Sequence, residues 1–167
     1  MSQSSSNSSM RTTPIATASI AGVCIAIYLV QVLLDFDVQK ITMCPRFVLY
    51  LHEFYRIVTS TLFHANMMHI GMNMMSTFAI GAMLEKRVGT LGMAMTIAWA
   101  ILLSGVLYLG IAWSVYVVTG FDEWMYTQSV GFSGIIFHLS VLECNLSSSQ
   151  SRSLFGVVNV PTFLYPW

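Results

Sequence analysis

The sequence predicts an all-α fold: a polytopic membrane helix bundle with about four complete transmembrane helices, an interfacial first loop and the start of a fifth helix. Of the 167 residues, 56% are hydrophobic and only 8% are charged, whereas soluble domains carry roughly 25% charged residues. The apolar residues also form long uncharged runs, and about 20 such residues span a bilayer as a helix. The seven basic and seven acidic residues cancel, so no net charge favours nucleic acid as a partner.

The chain divides into a Ser-rich segment, residues 1–13, and a partial membrane domain, residues 14–167. We expect the first segment to be a disordered cytoplasmic tail, because it has too few apolar groups to form a core. The predicted spans are 14–34, 57–84, 88–118 and 130–144, with an interfacial segment at 35–56 and another apolar run at 154–167. The fourth span rises only ~22 Å, less than the ~30 Å bilayer core, so its first residues should lie below the membrane surface.

Basic residues predict the orientation. Arg11, Lys86, Arg87 and Arg152 fall on the amino-terminal side of such a bundle. The opposite side holds Lys40, Arg46 and Arg56, all within the interfacial segment, and its short loop carries only Asp122 and Glu123. Because basic loops remain in the cytoplasm, the amino terminus is predicted to be cytoplasmic.

The second predicted span carries a polar stripe. On one continuous helix, Asn66, His69, Asn73, Ser76 and Thr77 fall within a sector of about 100°, and His64 points to the other side. Polar groups in a membrane face a bundle interior or a wet cavity. We interpret Ser76 and Thr77 as interhelical hydrogen-bonding residues. Interhelical hydrogen bonding is one interpretation of His69 and Asn73 as well. Their i,i+4 spacing also allows a second interpretation, in which the two side chains donate to one oxyanion.

The sequence Gly131-Phe-Ser-Gly134 opens the fourth span. Ser133 at a helix start is either a cap or packing residue, or a nucleophile whose backbone N–H faces the same cavity as its hydroxyl.

The cysteines Cys24, Cys44 and Cys144 are far apart and lack metal-ligand spacing, so neither a metal site nor a disulfide is predicted, and no cofactor motif is present.

Together these motifs resemble the rhomboid intramembrane serine proteases. The likeness rests on HxxxxHxxxN from His64 to Asn73 and on GxSG around Ser133. Tyr55-Arg56 is similar to the family's Trp-Arg in the first loop, Glu85-Lys-Arg-Val-Gly89 resembles its turn between spans two and three, and Phe137 matches its aromatic position after the serine. The sequence GFSGIIF resembles the endoplasmic-reticulum group of eukaryotic rhomboids more closely. This resemblance implies the endoplasmic reticulum or another endomembrane as the location.

The resemblance implies roles for individual residues. Ser133 would be the nucleophile, and His69 and Asn73, with the Ser133 backbone N–H, would form the oxyanion site. His64 would be structural, and Arg56 and Glu85 would brace loops. The implied partners are the lipid bilayer and transmembrane protein substrates, whereas the oligomeric state is unknown.

One departure concerns the base. The family uses a histidine from a sixth span, and this sequence has none there; His138 lies about 140° around the helix from Ser133, and His52 lies outside the spans. We therefore expect a carboxy-terminally truncated rhomboid that is inactive by itself. The alternative is a non-catalytic rhomboid-like protein that binds transmembrane helices for degradation or trafficking. A small channel or transporter would leave the placement of GFSG unexplained.

Overall fold

The computed structural model describes residues 13–146, 151–154 and 158–161, so most of the Ser-rich segment lies outside the described residues. Its five α-helices are α1 (Ile15–Leu33), α2 (Pro45–Tyr50), α3 (Arg56–Leu62), α4 (Met67–Thr119) and α5 (Ser133–Leu146). Short 3-10 helices cover Val38–Lys40 and Asp122–Met125. The prediction of an all-α membrane bundle is confirmed for the body of the chain.

Two helices, α1 and α4, are long and apolar enough to cross a membrane. A straight helix of the 53 residues in α4 would be ~80 Å long, far more than a bilayer. Gly89 interrupts it with φ 78° and ψ 166°, a conformation that glycine adopts readily. A Cβ placed on Gly81 would lie 3.2 Å from the Met93 Cε, although these residues would be ~18 Å apart on a straight helix. The chain therefore doubles back at Gly89, and α4 consists of two spanning arms, residues 67–88 and 90–119.

The second predicted span differs from the structure at its beginning. We expected one helix over 57–84, but α3 ends at Leu62, Phe63 is extended, and α4 begins at Met67. The cause is a cap: the Asn66 side chain accepts a hydrogen bond from the His69 N–H at 2.9 Å, which satisfies a free donor of the new helix. Asn66 therefore does not belong to the polar stripe.

One hydrophobic core joins α1, both arms of α4 and α5. Its buried members are Ala21, Cys24, Ile70, Met74, Leu84, Met93, Ile97, Ala100, Phe132, Ile135 and Leu139. The remaining apolar side chains are largely exposed, among them Leu33, Met67 and Val118. This outward-facing apolar surface is the surface that a bilayer covers.

Polar contacts join three helix ends at one side of the bundle. Glu85 accepts hydrogen bonds from the first turn of α1, namely from the N–H groups of Ala16 and Thr17. The Arg87 guanidinium donates to the Leu146 carbonyl and lies 3.8 Å from the Glu143 carboxylate. The start of α1, the Gly89 turn and the end of α5 therefore share one side, as four alternating spans require.

The first loop is held from inside by Arg56. Its guanidinium donates to the carbonyls of Thr42 at 2.9 Å and Gln39 at 3.4 Å, pairs with the Glu53 carboxylate, and lies 4.7 Å from the centre of the Phe47 ring. Arg56 is itself only 5% exposed. One buried cation at the start of α3 thus holds the backbone at residues 39 and 42, near the other end of the loop.

The expected start of a fifth helix at 154–167 is wrong for the described residues there. Ser151–Leu154 pairs antiparallel with Val158–Pro161, and Leu154 is opposite Val158. The β-branched residues Val158 and Val160 favour strands, and Pro161 is tolerated at a strand end but not within a helix. Residues 155–157 and 162–167 lie outside the described residues.

Candidate active site

The loop before α5 packs directly onto the first arm of α4. A Cβ placed on Gly131 would lie 2.5 Å from the His69 Cε1, 2.7 Å from its Nε2 and 3.3 Å from the Asn73 Nδ2. Gly131 also has φ 112°, which other residues avoid. Only glycine therefore fits this position, and the structure brings the two sequence motifs together there.

Backbone hydrogen bonds fix the same loop from its other side. The Gly131 N–H donates to the Ser60 carbonyl at 2.7 Å, and Met43 and Ser129 exchange two hydrogen bonds of 2.8 and 3.0 Å. Ser60, Met43 and Ser129 could not be identified from the sequence, because they act through backbone atoms that carry no residue-type signal. The first loop and α3 thus set the position at which α5 begins.

Ser133 is the first residue of α5, as expected, and it is exposed. It borders a cavity of about 170 Å³ between the first loop, α3, the second arm of α4 and α5. Other hydroxyl-bearing side chains in the wall belong to Ser60, Thr61, Ser104, Tyr108 and Ser129. The cavity therefore has the polar lining that water or a peptide group needs.

Asn73 and His69 lie on the side of Gly131 from which a side chain would project. Asn73 is 6% exposed, and its Nδ2 has no hydrogen-bond partner among the described residues. A buried amide donor without a partner is uncommon and costs free energy. Asn73 is thus a donor available to a group placed beside Gly131. Thr77, one turn further along, is fully buried, and its hydroxyl makes no hydrogen bond within the described residues, so the expected interhelical bond is not found there.

The expectation that His64 faces away from His69 is wrong. Its imidazole is fully buried, and the centres of the two histidine rings are 5.3 Å apart in an edge-on arrangement. His64 precedes α4, so the rotation of 100° per residue along that helix does not give the direction of its side chain. The His64 carbonyl also accepts a hydrogen bond from the Gln31 Nε2 at 2.8 Å, which ties this connection to α1.

Two further side chains considered in the sequence follow Ser133 on α5. Phe137, one turn after Ser133, is 57% exposed, and His138 is half-buried on the same helix. Within the ranges that the structure describes, no cluster of three or more His, Cys, Asp or Glu side chains could hold a metal ion. The chemistry available at this site is therefore that of a serine hydroxyl, amide and imidazole donors, and a helix amino terminus.

Comparison with known sequences identifies the family of this chain. The family model of the Rhomboid domain matches residues 51–167, which include both motifs. The chain belongs to the rhomboid family. With its apolar spanning helices, this rhomboid is an integral membrane protein.

Several curated rhomboids are similar to the chain. Rhomboid-like protein 15 of Arabidopsis thaliana is 35% identical over 158 residues, which cover 92% of this chain and 39% of that protein. Rhomboid-related protein 4 of Mus musculus is 36% identical over 114 residues, or 68% of this chain and 34% of that protein. Rhomboid-like protein 14, mitochondrial, of Arabidopsis thaliana is 27% identical over 92% of this chain and 47% of that protein. This rhomboid sequence thus spans less than half the length of these relatives, and no solved structure matches it.

Proposed function

We propose that the chain carries the nucleophile and oxyanion site of an intramembrane serine endopeptidase that cleaves transmembrane substrates. The observation that carries the proposal is the contact of Gly131 with His69 and Asn73, two residues before Ser133. Acyl transfer needs donors aimed at the developing oxyanion close to the nucleophile. The contact places two such side chains beside Gly131, and Ser133 follows two residues later in the sequence.

The backbone of α5 contributes a third donor. Because Ser133 is the first residue of the helix, its N–H is one of the groups that no helical carbonyl satisfies. The helix dipole places partial positive charge at the same end, which favours an anion. An oxyanion beside Ser133 would thus meet His69, Asn73 and the Ser133 N–H.

None of the four histidines of this sequence is assigned as the general base in this proposal. His69 is assigned to the oxyanion site, and the fully buried His64 ring packs against it. His138 follows Ser133 by five residues on the same helix, about 140° around its axis. His52 lies in the first loop, after α2. Without a base, a serine hydroxyl is a weak nucleophile, so we expect the 167-residue chain alone to be inactive.

The proposed substrate is a transmembrane helix that unwinds near one end. Small or polar residues would ease the unwinding, which must precede attack because helical carbonyls are already hydrogen-bonded.

The proposed location is the endoplasmic reticulum or another endomembrane, and the support is the sequence GFSGIIF around Ser133. Co-imaging a tagged protein with endoplasmic-reticulum, mitochondrial and plasma-membrane markers tests it, and a mitochondrial signal would reject it.

A fluorophosphonate probe tests the catalytic proposal. The 167-residue chain and the longest product of the same gene are purified in detergent and labelled in parallel. We expect labelling of the longer product only, and its loss in Ser133→Ala. Ser140→Ala is the matched control, because Ser140 lies on the same helix and its hydroxyl donates to the Ile136 carbonyl.

The non-catalytic alternative predicts a different result. A rhomboid-like binding protein would show no labelling in either product, yet it would still capture transmembrane helices in a cross-linking experiment. Rapid labelling of the short chain would instead show that one of its own four histidines is the base.

A further inference from the structure

A band of aromatic side chains surrounds the end of the bundle opposite the Gly89 turn. The Tyr50 and Trp113 ring centres are 6.5 Å apart, and those of Trp113 and Tyr116 are 5.8 Å apart. Tyr50, Trp113 and Tyr126 are each 44–49% exposed. The first loop and the second loop, residues 120–132, therefore both present exposed aromatic rings at this end of the bundle.

Arg46 lies within this band. Its Cζ is 4.7 Å from the centre of the Tyr50 ring and 5.7 Å from that of the Tyr126 ring. The side chain is exposed, and the ion pairs found in the described part of the chain involve only Arg56 and Arg87 as cations. Two rings thus hold the guanidinium in place while no carboxylate neutralises it.

The length of α4 sets the depth of this cation. The arm 90–119 rises ~45 Å, and a ~30 Å hydrocarbon core takes up only about 20 of its residues. If the Gly89 turn marks one surface, the arm leaves the hydrocarbon near residue 110. Trp113 and Tyr116 then lie in the headgroup layer, where such rings are favoured. Arg46 lies at the same depth, because it stacks on Tyr50, whose ring contacts Trp113.

We propose that Arg46, with Tyr50 and Tyr126, forms a binding site for the headgroup of an anionic phospholipid. A guanidinium pairs with a phosphate through two parallel hydrogen bonds, and rings that fix the side chain lower the entropy lost on binding. The adjacent apolar surface of the bundle accommodates the acyl chains. The lipid rather than free phosphate is the ligand, because the site lies at headgroup depth.

Native mass spectrometry of the purified 167-residue chain tests the site. Phosphatidylglycerol and phosphatidylcholine of equal chain length are titrated into detergent micelles, and retained lipids are counted. We expect a preference for phosphatidylglycerol that falls about tenfold in Arg46→Gln. Lys40→Gln is the matched control, because Lys40 is an exposed cation of the same loop without aromatic neighbours among the ring contacts found, and its preference should change less than twofold.

Two further measurements separate the explanations. Arg46→Lys keeps the charge and the side-chain stem but loses the paired hydrogen bonds, so it should retain an intermediate preference, and it also guards against misfolding of Arg46→Gln. Inorganic phosphate should not displace the lipid. Equal losses in Arg46→Gln and Lys40→Gln, or displacement by inorganic phosphate, would overturn the proposal. None of these results depends on Ser133, so the site and the protease proposal fail independently.

Discussion

Glu85 closes the amino terminus of α1 by binding Thr17, a residue 68 positions earlier. Its Oε2 accepts one hydrogen bond from the Thr17 N–H at 2.8 Å and another from the Thr17 hydroxyl at 2.7 Å. The other carboxylate oxygen accepts from the Ala16 N–H at 2.9 Å. A helix from another part of the chain thus supplies the cap that Pro14 cannot provide, since Pro14 makes no side-chain hydrogen bond.

Removal of this carboxylate should destabilise the bundle. Glu85→Ala leaves three buried or partly buried donors without an acceptor and removes a negative charge from a helix amino terminus. We expect a loss of about 2–3 kcal/mol in the free energy of unfolding, measured by thermal or denaturant unfolding in detergent. Glu123→Ala, at an exposed position in the second loop, is the control and should change stability by less than ~0.5 kcal/mol.

Alanine at Gly131 should disrupt the candidate site. The new methyl group would lie 2.5 Å from the His69 ring, and the residue would have to adopt φ 112°. We expect a loss of at least ~2 kcal/mol in stability, together with displaced His69 resonances in the NMR spectrum of the chain in micelles.

Gly134→Ala is the comparison for that substitution. A Cβ at Gly134 would lie 3.5 Å from the Ser104 side chain, which is an ordinary contact distance, and α5 tolerates alanine well. It should therefore fold as the wild type does. If both alanine variants had the same stability, the close approach at Gly131 would be refuted.

The two histidines should respond differently to substitution. In the longest product of the gene, His69→Ala removes an oxyanion donor from the proposed site, which typically lowers kcat by roughly 10²–10³. The half-buried His69 should contribute little to the thermal midpoint.

His64→Ala should have a combined effect. It leaves a cavity at a fully buried position, which costs stability, and it removes the ring that packs on His69. We expect a lower thermal midpoint together with a smaller loss of kcat than in His69→Ala. A variant with an unchanged midpoint would show that the His64 ring is not packed as described.

Topology provides a further test. Contacts of Glu85 with α1 and of Arg87 with the end of α5 put those three helix ends on one side, and Asp122 follows the far end of α4. We expect an amino-terminal tag to be cytoplasmic and a tag at Asp122 to be protected from protease added to the cytoplasmic side. Cleavage of both tags from that side would contradict this orientation.

Hydropathy and motif spacing predicted much of the architecture. They identified α1, the reversal near Gly89, the short α5 and its start at Ser133, because apolar length and turn residues are local properties of the sequence. They did not find the break before Met67, since residues 57–84 are apolar enough to form one helix and the start of α4 is marked by the single Asn66 cap. That error also placed the His64 side chain on the wrong side.

The positions of backbone groups could not be predicted in the same way. The carbonyl of Ser60 and the peptide groups of Met43 and Ser129 hold the Gly131 loop, and any residue type offers the same atoms. The contact of Gly131 with His69 depends in turn on how those segments pack. The second strand, Val158–Pro161, was missed because an apolar run of that length does not distinguish a helix from a hairpin. The first strand, Ser151–Leu154, is mostly polar and carries no strand pattern of its own.

The reversal at Gly89 also bears on how the protein reaches the membrane. No loop separates residues 67–88 from 90–119, since Gly89 alone departs from helical geometry. If one arm entered the bilayer alone, the other arm would remain outside and expose its apolar side chains to water. The two must be inserted together as a helical hairpin, with the charged Glu85-Lys-Arg sequence remaining at the surface from which insertion began.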